Sequence, residues 1–240
     1  MKETNLDLVK ETSKFLFDLV SFEDADKCVG MDGFIISHPY TNSGISMKKD
    51  GTLVNLLENK ENQKEFRDIV FGCIDKADNI IKILLLLNKP YLLLWYKMIS
   101  PFLSEEDFAK LLGEIWTISE NPNCDLNVPL EMTIGFFEEA NKEYLMDKEE
   151  FEIYSKLPVE FTVYRGVSKG RNPYGLSYSF DKSKAIWFQK RFADSKNPGQ
   201  LITRKVKKED VLAVFTRRGE DEIVININHF IGDKNISWSN

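Results

Sequence analysis

A change of texture at Pro158 constrains this chain more than any other feature of its 240 residues. Before it, apolar residues recur at helical spacing; after it, short alternating or β-branched runs take over. Leu8, Val9, Phe15, Leu16, Leu19 and Val20 predict a helix from Leu6 to Phe22. Leu53 to Asn88 predicts one or two more, and Pro90 suits the first turn of another that reaches Ile99. Ser104-Glu105-Glu106-Asp107 opens a helix: the hydroxyl caps the first amides, and the acidic residues meet the positive end of the dipole. Phe108, Leu111, Leu112, Ile115 and Trp116 form its buried face. Asn121 to Asp125 breaks it, Leu130 to Ala140 is helical, and Asp147 with Glu150 forms a capping box that starts a helix through Tyr154. Gly30 to Gly51 reads as loop with one strand at Phe34-Ile35-Ile36. His38, in Ser-His-Pro-Tyr with no recognisable partner, reads as a loop residue without a role.

Beyond Pro158 the predicted strands are Phe161–Tyr164, Leu176–Phe180, Leu201–Thr203, Val211–Phe215 and Ile223–Ile225. One helix interrupts them, capped by Asp181, with Ala185, Ile186, Phe188 and Phe192 as its apolar face. The expectation is an α+β protein: a mostly helical region over 1–157 and a small mixed β-sheet region over 158–240.

Charge is distributed unevenly. The net charge of −6 argues against a general nucleic-acid binder. Yet Lys156 to Glu222 holds 15 Lys/Arg against 8 Asp/Glu, and the remainder holds 17 against 30. A basic segment in an acidic chain suits an anionic ligand such as a pyrophosphate, and equally a solvated basic face. Cys28, Cys73 and Cys124 are far apart, form no CxxC pair and are odd in number, which points to a reduced, intracellular protein. Two histidines argue against a His-rich metal site, so no metal is expected. The amino terminus lacks the basic start and apolar stretch of a signal peptide. The apolar run from Ile80 to Trp95 is broken by Lys82 and Asn88-Lys89-Pro90, short of the roughly 20 residues that span a bilayer. A cytoplasmic protein with no membrane partner is expected, the run forming a buried helix pair. No GxGxxG, Walker or Gly-x-Ser-x-Gly sequence occurs.

Three short motifs follow one another after Pro158: Tyr164-Arg165-Gly166 at a strand end, Ser177-Tyr178-Ser179 within the next strand, and Glu220-Asp221-Glu222 leading into the last. Each alone has an ordinary structural reading: a surface arginine, strand serines, a solvated acidic triplet. Their joint order, Arg, Ser-x-Ser, Glu-x-Glu, resembles the arginine–serine–glutamate class of mono-ADP-ribosyltransferases over about 70 of the 240 residues. Tyr178 departs from the usual threonine in the middle of the second motif. The helical region is similar to proteins of bacterial and phage type.

The resemblance implies an ADP-ribosyltransferase-like fold after Pro158 and NAD as substrate. Cleaving the nicotinamide–ribose bond builds oxocarbenium-like positive charge, which a fixed carboxylate stabilises more in the transition state than in the ground state. By resemblance Glu222 is that carboxylate. Glu220, on the same side of an extended segment, orients and deprotonates the nucleophile. Glu-x-Glu resembles the arginine-modifying subgroup, which suits bidentate pairing with a guanidinium. Arg165 meets the NAD phosphates, Gly166 allows close approach of the nicotinamide amide, Ser177 holds Glu222 or the ribose, and Ser179 supports it. Tyr178, Phe180 and Trp187 are candidate stacking partners for nicotinamide, with core packing the better reading of Phe180 and Trp187. Arg217 and Arg218 fall where the family's target-recognition loop lies. The expected reaction is transfer of ADP-ribose to a protein arginine; a nucleic-acid acceptor, hydrolysis of NAD, or a catalytically silent interaction module are the alternatives.

Overall fold

The apolar periodicities fold into two units, Met1–Ser104 and Glu105–Asn240, in an α+β arrangement. The computed structural model describes residues 2–23, 35–48, 50–120, 122–168, 172–194, 196, 198–219, 221–230 and 237–239. The chain therefore divides about 50 residues before Pro158. That proline marks a change of secondary structure inside the second unit, where helices cover the sheet.

In the first unit α1 (Leu6–Leu19) starts at Asn5, whose side chain accepts from the Leu8 amide. It buries Val9, Ser13, Leu16 and Phe17. Asn59 and Asn79 cap α2 (Lys60–Lys76) and α3 (Ile80–Leu84) in the same way. Pro90 lies in a 3-10 turn before α4 (Leu92–Ile99). The apolar run is thus a pair of short, partly buried helices, and no helix among the described residues is long and apolar enough to cross a membrane.

Two antiparallel hairpins replace the single predicted strand: β1 (Ile35–His38) with β2 (Thr41–Ser43), and β3 (Ile45–Met47) with β4 (Leu53–Asn55). Leu53–Asn55 is thus strand rather than the start of a helix. Its alternation is too short to distinguish the two by period. His38 is buried, stacked on Phe22 at 4.5 Å between ring centroids and edge-on to Phe17. It is a core residue, correcting the loop reading.

The second unit begins with α5 (Glu105–Ile118), α6 (Leu130–Glu139), α7 (Lys142–Leu145) and α8 (Lys148–Ser155). All five predicted apolar residues of α5 are buried. The Asp147–Glu150 capping box forms as its spacing predicts. Six antiparallel strands follow: β5 (Glu160–Val167), β6 (Ser177–Ser179), β7 (Gln200–Lys207), β8 (Val211–Phe215), β9 (Glu222–Ile225) and β10 (Ser237–Ser239), in the order β10-β7-β5-β6-β9-β8. Every residue of β8 is buried although it ends the sheet, because α6 and α8 pack on it. Phe137 of α6 stands between Trp116 of α5 and Phe215 of β8, at ring distances of 5.0 and 6.4 Å.

The last helix, α9 (Lys182–Lys190), is capped by Asp181 and crosses β5. It buries Ala185 and Gln189, with Ile186 and Phe188 half-buried and Phe192 exposed beyond its end. The expected four-residue apolar face is therefore narrower than its pattern suggests, because the helix rests on the open surface of Gly166. A Cβ at that position would overlap the Ala185 carbonyl oxygen and stand 2.5 Å from the Gln189 amide nitrogen.

Candidate active site

The site grows from the place where two neighbouring strands part. Among the described residues β5 and β6 share one register pair, Tyr164 with Ser179, while β5 continues along β7 to Val167. Arg165 spans the widening gap. Its two terminal nitrogens donate to the Ser177 and Asn172 carbonyls, each at 2.7 Å. Its guanidinium also lies where a side chain at Gly175 would be. The arginine expected to meet phosphates therefore also ties the loop that delivers β6.

Ser177 and Ser179 lie two apart on β6 and share a face, and β9 carries Glu222 beside them: Ser179 pairs with Glu222, and Ser177 with Val224. Ser179, rather than Ser177, thus stands directly across from Glu222, and its Oγ accepts from the Asp181 amide at 3.0 Å. Ser177 Oγ accepts from Asn123 Nδ2 at 3.0 Å. Asn123 Oδ1 accepts from the Leu176 amide at 2.6 Å, so one side chain holds both residues. Trp116 Nε1 donates to Glu222 Oε1 at 3.0 Å.

Neither Trp116 nor Asn123 was legible as a site residue. Trp116 fits the apolar stripe of α5, and Asn121-Pro122-Asn123 carries only the signal of a helix end. Their roles depend on partners more than 50 positions away.

The turn before β9 departs from the extended backbone that the Glu-x-Glu reading assumed. Gly219 and Asp221 have φ of 68° and 47°, both left-handed. Alternation of side chains therefore does not run through Asp221. Glu220 itself lies outside the described residues, and so does the Arg218 side chain. Lys184 of α9 donates to the Gly219 carbonyl at 2.6 Å and pairs with Asp221. The Arg217 side chain is largely enclosed, 26% exposed. Its guanidinium pairs with Glu114 and with Glu150, whose side chain is 0% exposed. Glu150 also accepts from the Thr216 amide at 2.9 Å.

These elements form a cleft open to solvent and bordered by Arg165, Gly166, Ser177, Ser179, Glu222 and Arg191 among others. Arg165, Ser177 and Glu222, drawn from three separated motifs, border the same cleft. Tyr178 borders it too, but its ring is buried, with the Arg204 guanidinium 6.0 Å from its centroid. Burial pushes its hydroxyl up, against the opposing influence of Arg204 and Arg165. Phe180 packs on Phe161 as expected of a structural residue. Trp187 does not: it is 57% exposed, with the Arg191 guanidinium 5.2 Å from its ring centroid and equally far from that of Phe192. No protein-family model matches the chain, and neither a curated protein nor a solved structure is detectably similar to it.

Proposed function

We propose that the second unit is a mono-ADP-ribosyltransferase that binds NAD in this cleft and passes ADP-ribose to a protein arginine. The observation that carries the reading is the convergence of Arg165, Ser177 and Glu222 on one solvent-open cleft. The order of three motifs in a sequence does not require that outcome. The guanidinium groups of Arg165 and Arg191, which both border the cleft, suit a pyrophosphate.

In this reading the bond between the ribose anomeric carbon and the nicotinamide nitrogen breaks with its electron pair leaving on nicotinamide. Glu222 faces the positive charge that develops on the ribose and stabilises it. Ser177, held by Asn123, fixes the ribose edge. Nitrogen of the acceptor guanidinium then forms a new bond to the anomeric carbon and loses one proton.

The test is nicotinamide release and label transfer with labelled NAD and a cell lysate. Wild-type protein should label lysate proteins, and Glu222→Gln should lower turnover by two or more orders of magnitude, the scale of losing one electrostatic stabiliser. Free ADP-ribose alone would identify a glycohydrolase. Equal activity in Glu222→Gln, or none in the wild type, would remove the enzyme reading.

A further inference from the structure

We propose that Trp116 is a positioning residue of this site: its indole N–H holds the Glu222 carboxylate in place at the cleft. The proposal rests on the transferase reading. It extends that reading to a residue that none of the three motifs contains.

Three observations support it. Trp116 is 2% exposed, so its N–H meets little water and the bond to Glu222 Oε1 at 3.0 Å is screened from competition. The indole has a single donor and no acceptor, which leaves it one possible partner in that bond. Finally, both Trp116 and Glu222 border the cleft, so the bond lies at its wall rather than behind it.

Glu222 is the half-buried first residue of β9, after Asp221, whose left-handed backbone and pairing with Lys184 set the direction in which the strand starts. A charge-assisted bond from a buried ring restrains its carboxylate before any ligand arrives. Preorganisation of this kind lowers the reorganisation required in the transition state. It therefore acts on turnover more than on ground-state binding.

The experiment compares wild type, Trp116→Phe, Glu222→Gln and Phe137→Leu. Trp116→Phe keeps an aromatic ring and removes the N–H; Phe137→Leu loosens the packing and keeps it. In a proton–nitrogen NMR spectrum the Trp116 indole resonance, assigned by its loss in Trp116→Phe, should move upfield in Glu222→Gln, the direction expected when a charge-assisted bond becomes neutral. In nicotinamide-release assays Trp116→Phe should lower kcat about ten- to a hundredfold with KM for NAD nearly unchanged, while Phe137→Leu should leave kcat within about threefold.

An indole resonance indifferent to Glu222→Gln overturns the pairing whether or not the protein turns over NAD. Full kcat in Trp116→Phe overturns the positioning role while leaving the transferase reading intact, and so does an equal loss in Phe137→Leu. Absence of nicotinamide release from wild type removes the transferase reading, and the positioning role with it, even where the resonance shifts.

Discussion

Gly166 illustrates how a residue chosen for one reason can be required for another. Its motif suggests a backbone that grips a ligand, and it does border the cleft. The tighter constraint comes from behind, where α9 rests on it with Ala185 and Gln189 against its Cα. Gly166→Ala should therefore force α9 away from β5 and destabilise the protein by about 1–3 kcal/mol, the usual cost of inserting volume into a packed contact. Urea unfolding checks the size. A change below 0.5 kcal/mol, the level of an indifferent surface site, would mean that α9 yields freely. Asn123 makes the same point through polar contacts, since one amide holds the Leu176 backbone and the Ser177 hydroxyl together.

Elements at the site are oriented by buried charge. Glu150 is legible as the third residue of a capping box, and that box forms. Its carboxylate also accepts from the Thr216 amide and the Arg217 guanidinium, which anchors the turn that delivers Glu222. Removing one partner of a buried ion pair typically costs about 3–5 kcal/mol, whereas an exposed pair contributes under about 1 kcal/mol. Glu150→Ala should therefore be far more destabilising than Glu114→Ala, because Glu114 pairs with the same arginine from a half-exposed position. Thermal or chemical unfolding of the two variants checks the ratio, and similar losses would mean that burial does not decide it. Capping was visible because it is local. The second role was not, because Arg217 lies 67 positions away.

At the level of the molecule, a basic side chain in each unit has its pKa lowered by desolvation, and the two give opposite ends of a pH profile. In the first unit burial lowers the His38 pKa from 6.5 to about 4, with the Phe17 carbonyl and the Asp18 charge opposing. Nδ1 accepts from the Tyr40 amide at 3.2 Å, so a proton there displaces that bond. His38 is neutral when folded and charged when unfolded across this window. Its contribution is present above pH 6.5 and is lost as pH falls toward about 4.

In the second unit burial lowers the Lys142 pKa from 10.5 to about 8, opposed by Glu138, while Nζ donates to the Phe137 and Leu212 carbonyls at 2.7 Å each. The unfolded chain then binds more protons between pH 8 and 10.5, so Lys142's contribution grows as pH rises through that interval. Hydrogen exchange followed unit by unit checks both: the acid loss should flatten in His38→Gln, and the alkaline gain in Lys142→Met. Unchanged slopes in these variants would assign the effects to other groups.

The boundary between helical and strand-forming sequence, the caps at Asp147 and Asp181, and the presence of strands carrying Arg165, Ser177 and Glu222 all follow from local rules: period, propensity and short-range hydrogen bonding over a few residues. The place where the units divide, the left-handed Asp221 that interrupts the Glu-x-Glu alternation, and the attachment of Trp116 to Glu222 and Asn123 to Ser177 do not. Those features depend on which side chains meet after the chain has closed loops of 50 to 100 residues. No periodicity within a segment records that meeting, because the energies that select it arise from packing and burial shared between elements.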